Sequence, residues 1–205
     1  MKAKKVDNKQ EIMPFFPLGV FLLPGEDMPL RIFEPRYLQL IEEARQQDFT
    51  FVIPFMKDEE MMEYGCEVKL QQVVAESVQG QKVITVESVN IVRIISFTSQ
   101  MKGKLYGGGR IERVPAGNVV TDRSLFDLVV QYTDHFDKEF LSGMSADDLY
   151  CFDVVRALNL SSEDKYRFIN MNCTEKRQQY LIRHIQYLML IRNQEKMLND
   201  DFRLN

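Results

Sequence analysis

Hydrophobic and polar positions divide the chain into two stretches with different periods. Up to about Val114 the apolar residues come in short runs broken by Pro and Gly, and after Pro115 and Gly117 they recur every three or four positions. Short β-branched runs with turn residues at regular spacing predict a small, strongly curved sheet or open barrel. The three-to-four spacing predicts amphipathic helices. Together these periods predict an α+β protein.

In the first stretch, Phe15 to Leu23 carries large apolar residues punctuated by Pro17 and Gly19, which predicts a kinked strand or loop-strand entering a core. Met28 to Phe33 is expected to be extended, because Pro29 disfavours a helical conformation at the residue before it. Glu34-Pro35 marks a helix start, with Pro at the first helical position and a carboxylate at the positive end of the dipole. Tyr37, Leu38, Ile41 and Ala44 then share one face. Phe49 to Phe55 reads as a core strand, Lys57 to Glu63 as an acidic surface loop. Further strands are expected at Val68 to Val74, Val83 to Val86, Val89 to Ile95 and Leu105 to Val114, with Gly80 as a hairpin turn. Gly107-Gly108-Gly109 interrupts the last of these, as a bulge in the simpler reading and an anion nest in the other.

In the second stretch, Thr121 or Asp122 is placed to cap a helix through Leu125, Leu128, Val129, Tyr132 and Phe136. Ser145 is expected to cap a second through Leu149, Phe152, Val155 and Leu158, and Ser161 a short third with Tyr166 and Ile169 inward. Asn172 with Glu175 suits the start of the longest helix, whose core stripe is Leu181, Ile185, Leu188 and Met189, widened by Tyr180, Tyr187 and Ile191.

One segment is specific enough to compare with a family. Phe16-Pro17-Leu18-Gly19-Val20-Phe21-Leu22-Leu23-Pro24-Gly25, followed by Met28-Pro29-Leu30-Arg31-Ile32-Phe33-Glu34-Pro35-Arg36-Tyr37, resembles the opening signature of the Lon amino-terminal domain family. Leu158 to Lys165 and Asn172 to Arg177 resemble the helical part of the same region, so the resemblance runs from about Ile12 to Leu198. The chain departs from the family pattern at Glu87 to Arg93 and at the triple glycine. The resemblance implies a PUA-like β pseudo-barrel with one inserted helix, followed by an all-helical subdomain, and a role in capturing polypeptides. The expected organisation is a flexible basic tail over 1–10, a barrel over 11–116 and about four helices over 117–205.

Composition narrows the function. The 205 residues, 45% hydrophobic and 27% charged, are ordinary for a globular protein. A net charge of −4 and a pI of about 5.4 argue against nucleic acid, leaving only the cluster Lys2, Lys4, Lys5 and Lys9 as a basic element. No apolar run reaches the roughly 18 residues of a membrane span. Three scattered cysteines, Cys66, Cys151 and Cys173, fit free thiols in a reducing, cytoplasmic setting. No Gly-x-x-x-x-Gly-Lys-Ser/Thr loop is present to hold nucleotide phosphates, and the length leaves no room for the Ser–Lys protease domain of Lon. A stand-alone, non-catalytic module is therefore expected, with no cofactor and no metal.

Candidate chemistry elsewhere is sparse. Asp134-His135-Phe136-Asp137 places its groups on diverging directions of one helix, and His184 sits among apolar neighbours as a packing residue. Two histidines and three scattered cysteines make no zinc spacing. Within the signature, Arg31, Phe33, Glu34 and Arg36 are the candidate peptide- or partner-binding residues. Their structural alternative is to fix the strand–helix junction, the arginines through backbone carbonyls or nearby acids. Met13, Met28, Met56, Met61 and Met62 offer either core filling or a soft binding surface. The leading expectation is polypeptide or protein-partner binding in quality control or as an adaptor, with an exposed sheet edge taking an extended peptide by strand addition. A small-ligand module with a pocket between barrel and helices and RNA binding by the barrel are the alternatives, and the chain is expected as a monomer or homodimer.

Overall fold

The computed structural model describes residues 10–136, 145, 147–171 and 173–203, side chains within 133–136 and 198–203 excepted. The lysine-rich tip up to Lys9, Asp137 and Asn172 lie outside the described residues. The chain forms two compact units, Met1–Ala116 and Gly117–Asn205.

The first unit is a curled antiparallel sheet with one helix. Its elements are β1 (Glu11–Pro14), β2 (Asp27–Ile32), α1 (Pro35–Gln47), β3 (Phe51–Lys57), β4 (Glu60–Glu76), β5 (Lys82–Ile94) and β6 (Gly108–Val114). Strand order is β1-β6-β5-β4-β3, and β2 pairs with the opening of β5, from Asp27 opposite Glu87 to Ile32 opposite Lys82. The sheet then curls back on itself through the irregular chain after β1. Phe15 and Leu18 bridge Val52 and Phe55 in parallel, with Phe16 N–H donating to Val52 O at 2.8 Å. Phe21, Leu22 and Leu23 follow outside any named strand and are buried. A loop can be buried there because its polar groups are met: Cys66 Sγ accepts from Leu22 N–H and its thiol donates to Leu22 O.

Helix α1 starts at Pro35, with Glu34 in the extended conformation before it. Tyr37, Leu40, Ile41 and Ala44 are its buried residues, so Leu40 takes the full burial expected of Leu38, which is half-buried. The stretch from Lys57 to Glu63 is not a loop. Asp58 and Glu59 form a two-residue hairpin turn with φ of 48° and 65°, and Lys57 pairs with Glu60. Positive φ at both central residues gives a turn whose twist matches its strands. The strands expected at Val83–Val86 and Val89–Ile95 are one strand, β5, and the strand expected at Val68 to Val74 is the later part of a longer one, β4. Register shifts at Glu67/Val68, Leu70/Gln72 and Val73/Ala75 bend this long pair and break the alternation that a regular strand shows in sequence. Gly80, at φ 78°, closes the hairpin between them.

The triple glycine is neither a bulge nor an anion nest. Gly108 and Gly109 pair in unbroken register with Pro14 and Met13. A Cβ on Gly109 would stand 1.9 Å from Ser96 O and 2.8 Å from the Phe15 ring, and one on Gly107 would stand 2.6 Å from Thr98 O. The glycines let β6 approach the turning chain and the core ring; no side chain fits.

The second unit holds four described helices: α2 (Arg123–Phe136), α3 (Cys151–Ala157), α4 (Ser162–Asn170) and α5 (Thr174–Arg203). Asp122 rather than Thr121 caps α2, its Oδ1 accepting Leu125 N–H at 2.8 Å. Ser161 caps α4 through Asp164 N–H. Ser145 caps no helix: its hydroxyl donates to Asp148, and α3 begins only at Cys151 after Tyr150, whose N–H donates to Asp153. The residues before it are committed elsewhere, Leu149 O accepting from Thr121 N–H and Tyr150 bridging Val120. Leu125, Val129, Leu149, Phe152, Val155, Tyr166, Phe168, Leu181 and Ile185 are buried. Leu188 and Met189 are half-buried, whereas Tyr187 is exposed.

Candidate functional site

The four signature residues surround the β2–α1 junction. Arg31 ends the exposed side of β2, and its Nη2 donates to Gln81 Oε1 at 2.7 Å across the β4–β5 turn. Arg31 thus meets a neutral side-chain amide rather than a backbone carbonyl or an acid. Glu34 makes no side-chain cap bond to the helix; its Oε2 accepts from Arg36 Nε at 2.9 Å. Arg36 also stacks on Tyr37, 4.5 Å from the ring centre. Between these pairs Phe33 stands 60% exposed, although its neighbour Ile32 is buried. The junction therefore presents one aromatic ring among satisfied charges. Beside Arg31 lies an open cleft of about 320 Å³ lined by Ala75, Glu76, Ser77, Gln81, Lys82 and Val83.

The edges at β2, β3 and β4 are guarded against strand addition. Pro29 sits in the middle of β2 and has no N–H to give a new neighbour. The outer edge of β3 is covered by the chain at Phe16 and Leu18. The outer half of β4, beyond its last pairing with β3 at Val68, is open but carries two register shifts. It borders a second cleft of about 390 Å³, lined from α1 by Ala44, Arg45 and Asp48 and from β4 by Lys69 to Val73. Bulges that twist an edge are themselves a defence against pairing. At β2, β3 and β4 the strand-addition mechanism expected from the curved sheet meets no clean edge.

Sequence reasoning missed the densest polar cluster. Glu67, in mid-β4, is 3% exposed, and its carboxylate accepts from Arg113 Nε at 2.6 Å, Arg113 Nη2 at 2.8 Å, Thr50 Oγ1 at 2.7 Å and Asn90 Nδ2 at 2.8 Å. Arg113 also pairs with Glu11 at 3.0 Å. Burial by itself raises the Glu67 carboxyl, but the hydrogen bonds from Arg113, Thr50 and Asn90 outweigh it and hold it below the usual carboxylate range. With every lone pair engaged, the Glu67 carboxylate ties β1, β4, β5, β6 and the residue before β3 together. A second cluster joins α1 to the chain before β6: Glu43 accepts from Lys104 at 2.5 Å and from Tyr106 OH at 2.7 Å, and Gln39 accepts Leu105 N–H.

The remaining candidates are structural. Cys66 is wholly buried, and burial pushes the Cys151 thiol up to about 11. His184 is half-buried with its ring 6.2 Å from that of Tyr180. Met13 belongs to the core, while Met28, Met56, Met61 and Met62 are half-buried. Among the described residues no three His, Cys, Asp or Glu side chains are placed to hold a metal ion, and no helix is long and apolar enough to cross a membrane.

Comparison with known proteins agrees with this architecture. The family described as ATP-dependent protease La (LON) substrate-binding domain matches residues 12–198. The fold is similar to the crystal structure of a Lon N-terminal domain protein from Xanthomonas campestris, with a TM-score of 0.65 and 20% identity over 84% of this chain and 97% of that one. It is also similar to the N-terminal domain of a Mycobacterium avium complex Lon protease, with a TM-score of 0.60 and 14% identity over 86% of this chain and 98% of the other. No curated protein matches the sequence.

Proposed function

The chain belongs to the LON substrate-binding domain family, and on that premise we propose that it recognises polypeptide segments, serving protein quality control as a capture module or adaptor and performing no hydrolysis itself. The family match over residues 12–198 is the observation that carries this reading. The chemistry supports it, because Glu67 and the Cys66 thiol are locked in structural bonds and Phe33 is offered to solvent between Arg31 and Arg36. In this proposal Phe33 supplies an apolar anchor, and Arg31, Glu34 and Arg36 supply exchangeable hydrogen bonds around it. Recognition then works through side chains, since the edges at β2, β3 and β4 are guarded.

The test is titration of the whole protein with a panel of labelled, unstructured polypeptides of differing apolar content. Binding that rises with apolar content and weakens in Phe33→Ser supports the reading. A panel that shows no binding at any concentration up to about 1 mM, the range of weak transient recognition, defeats it.

A further inference from the structure

One exposed row of side chains crosses β1 and β6 and ends just past β5, away from the signature. Ile12 lies opposite Arg110 in the β1–β6 ladder. On the other side of β6, Ile95 N–H donates to Arg110 O at 2.9 Å, one residue beyond the last β5–β6 pair, Ile94 with Ile111. Residues directly opposite on antiparallel strands share a face. Met13 and Ile111 belong to the core cluster and Ile94 packs against it, so Ile12, Arg110 and Ile95 stand together on the other face. Ile12 is 68% and Ile95 40% exposed, and Arg110 is exposed between them.

Arg110 differs from the arginines around it. Its side chain makes no hydrogen bond or ion pair with any described residue. The acid two positions along its own strand, Glu112, is taken by Arg93 at 2.5 Å. Arg113, on the opposite face, is held by Glu67 and Glu11. A guanidinium left unneutralised between two exposed isoleucines is complementary to a carboxylate with apolar neighbours, because apolar flanks exclude water and strengthen the charge-assisted bond. The row is about 10 Å wide, two strand spacings, which matches about three residues of extended chain. A single cation on a chain of net charge −4 does not suit a polyanion such as nucleic acid.

We propose that the row Ile12–Arg110–Ile95 binds an extended polypeptide segment in which a carboxylate is flanked by apolar side chains. The carboxylate meets the Arg110 guanidinium, and the flanking side chains cover the two isoleucines. This inference rests on the polypeptide-recognition reading above and assigns it a second surface with a charge preference.

Fluorescence anisotropy with three labelled peptides tests it: one carrying Glu between leucines, and the same peptide with Gln or Lys in its place. The wild-type protein should prefer the Glu peptide over the Gln peptide by about 5–10-fold. Arg110→Gln should abolish that preference, and Arg110→Glu should turn it toward the Lys peptide. Ile12→Ser with Ile95→Ser should weaken all three. Equal binding of the three peptides by wild type and Arg110→Glu overturns this row while leaving polypeptide recognition standing. Binding of none of them, by a protein that still binds other unfolded polypeptides, does the same. Failure of the wild type to bind any polypeptide overturns both. Self-association of the protein that Arg110→Glu removes would give the row to a second copy and also overturn the proposal.

Discussion

The two units hold themselves together by different means. The first depends on contacts between residues far apart in sequence: Glu67 with Arg113, Gly109 beneath Phe15, Leu22 against Cys66. The second depends far more on local devices, with Asp122 and Ser161 capping their own helices three residues on. Its principal long-range staple is Arg177. That side chain donates to Ile169 O and Met171 O at the end of α4 and to Gly117 O, and it lies over the Phe168 ring. The contrast teaches where each unit is vulnerable. A curled sheet fails when one strand cannot approach, and a helical unit loses stability in small steps.

Gly109→Val is the harshest way to test that difference. The added side chain collides with Ser96 O and the Phe15 ring, and forced overpacking of this kind costs about 3 kcal/mol or more. Urea unfolding followed by circular dichroism should show the sheet signal lost or its midpoint far lowered, with the helical signal retained. Retention of the wild-type midpoint would mean that β6 can shift away.

Glu67→Gln comes next. It removes the buried carboxylate and leaves Arg113 with Glu11 alone, for an expected loss of ~2 kcal/mol in the same experiment. The pH dependence follows in sign. The folded-state pKa of Glu67 is depressed, so its contribution is full above the unfolded value of ~4.3 and is lost as pH falls through the lower folded value. Wild-type stability should therefore drop steeply below about pH 4, and the drop should be shallower in Glu67→Gln. Equal slopes would remove Glu67 as the acid-sensitive group.

In the helical unit, Arg177→Lys keeps the charge but cannot span three carbonyls, and about 1–2 kcal/mol should go from the helical transition. Ser161→Ala removes a single cap and should cost ~1 kcal/mol. The smallest effect on stability belongs to Phe33→Ser, within about 0.5 kcal/mol of wild type for an exposed side chain. Polypeptide affinity should nevertheless fall in that variant, which separates binding from folding.

Much of this fold was legible because its signals are local. Pro35 at the first turn of α1, Gly80 in its hairpin and Ser161 before α4 each act within four residues of themselves. The misread segments are those where an ordinary residue takes an unusual conformation or a distant neighbour decides. Asp58 and Glu59 turn a charged run into a hairpin through positive φ, which composition does not reveal. Ser145 has the chemistry of a cap, yet the pairing of Thr121 with Leu149 delays α3 to Cys151. Of the candidate site, the four signature residues were nameable, but the exposure of Phe33 and the guarded edges were not. Edges exist only once strands have been ordered.

What the sequence determined alone was the division near Pro115, the curved-sheet and helical characters on either side of it, and the family signature from Phe16 to Tyr37. These are written in periodicity and in the backbone preferences of Pro and Gly, which operate without tertiary context. Only the tertiary structure decided which charges are satisfied. Glu67 finds Arg113 two strands away and Glu112 finds Arg93 on the adjacent strand, while Arg110 finds no described acid, and nothing along the chain tells these charges apart. Strand pairing selects their neighbours, because charge neutralisation acts over a few ångströms in space and has no period in sequence.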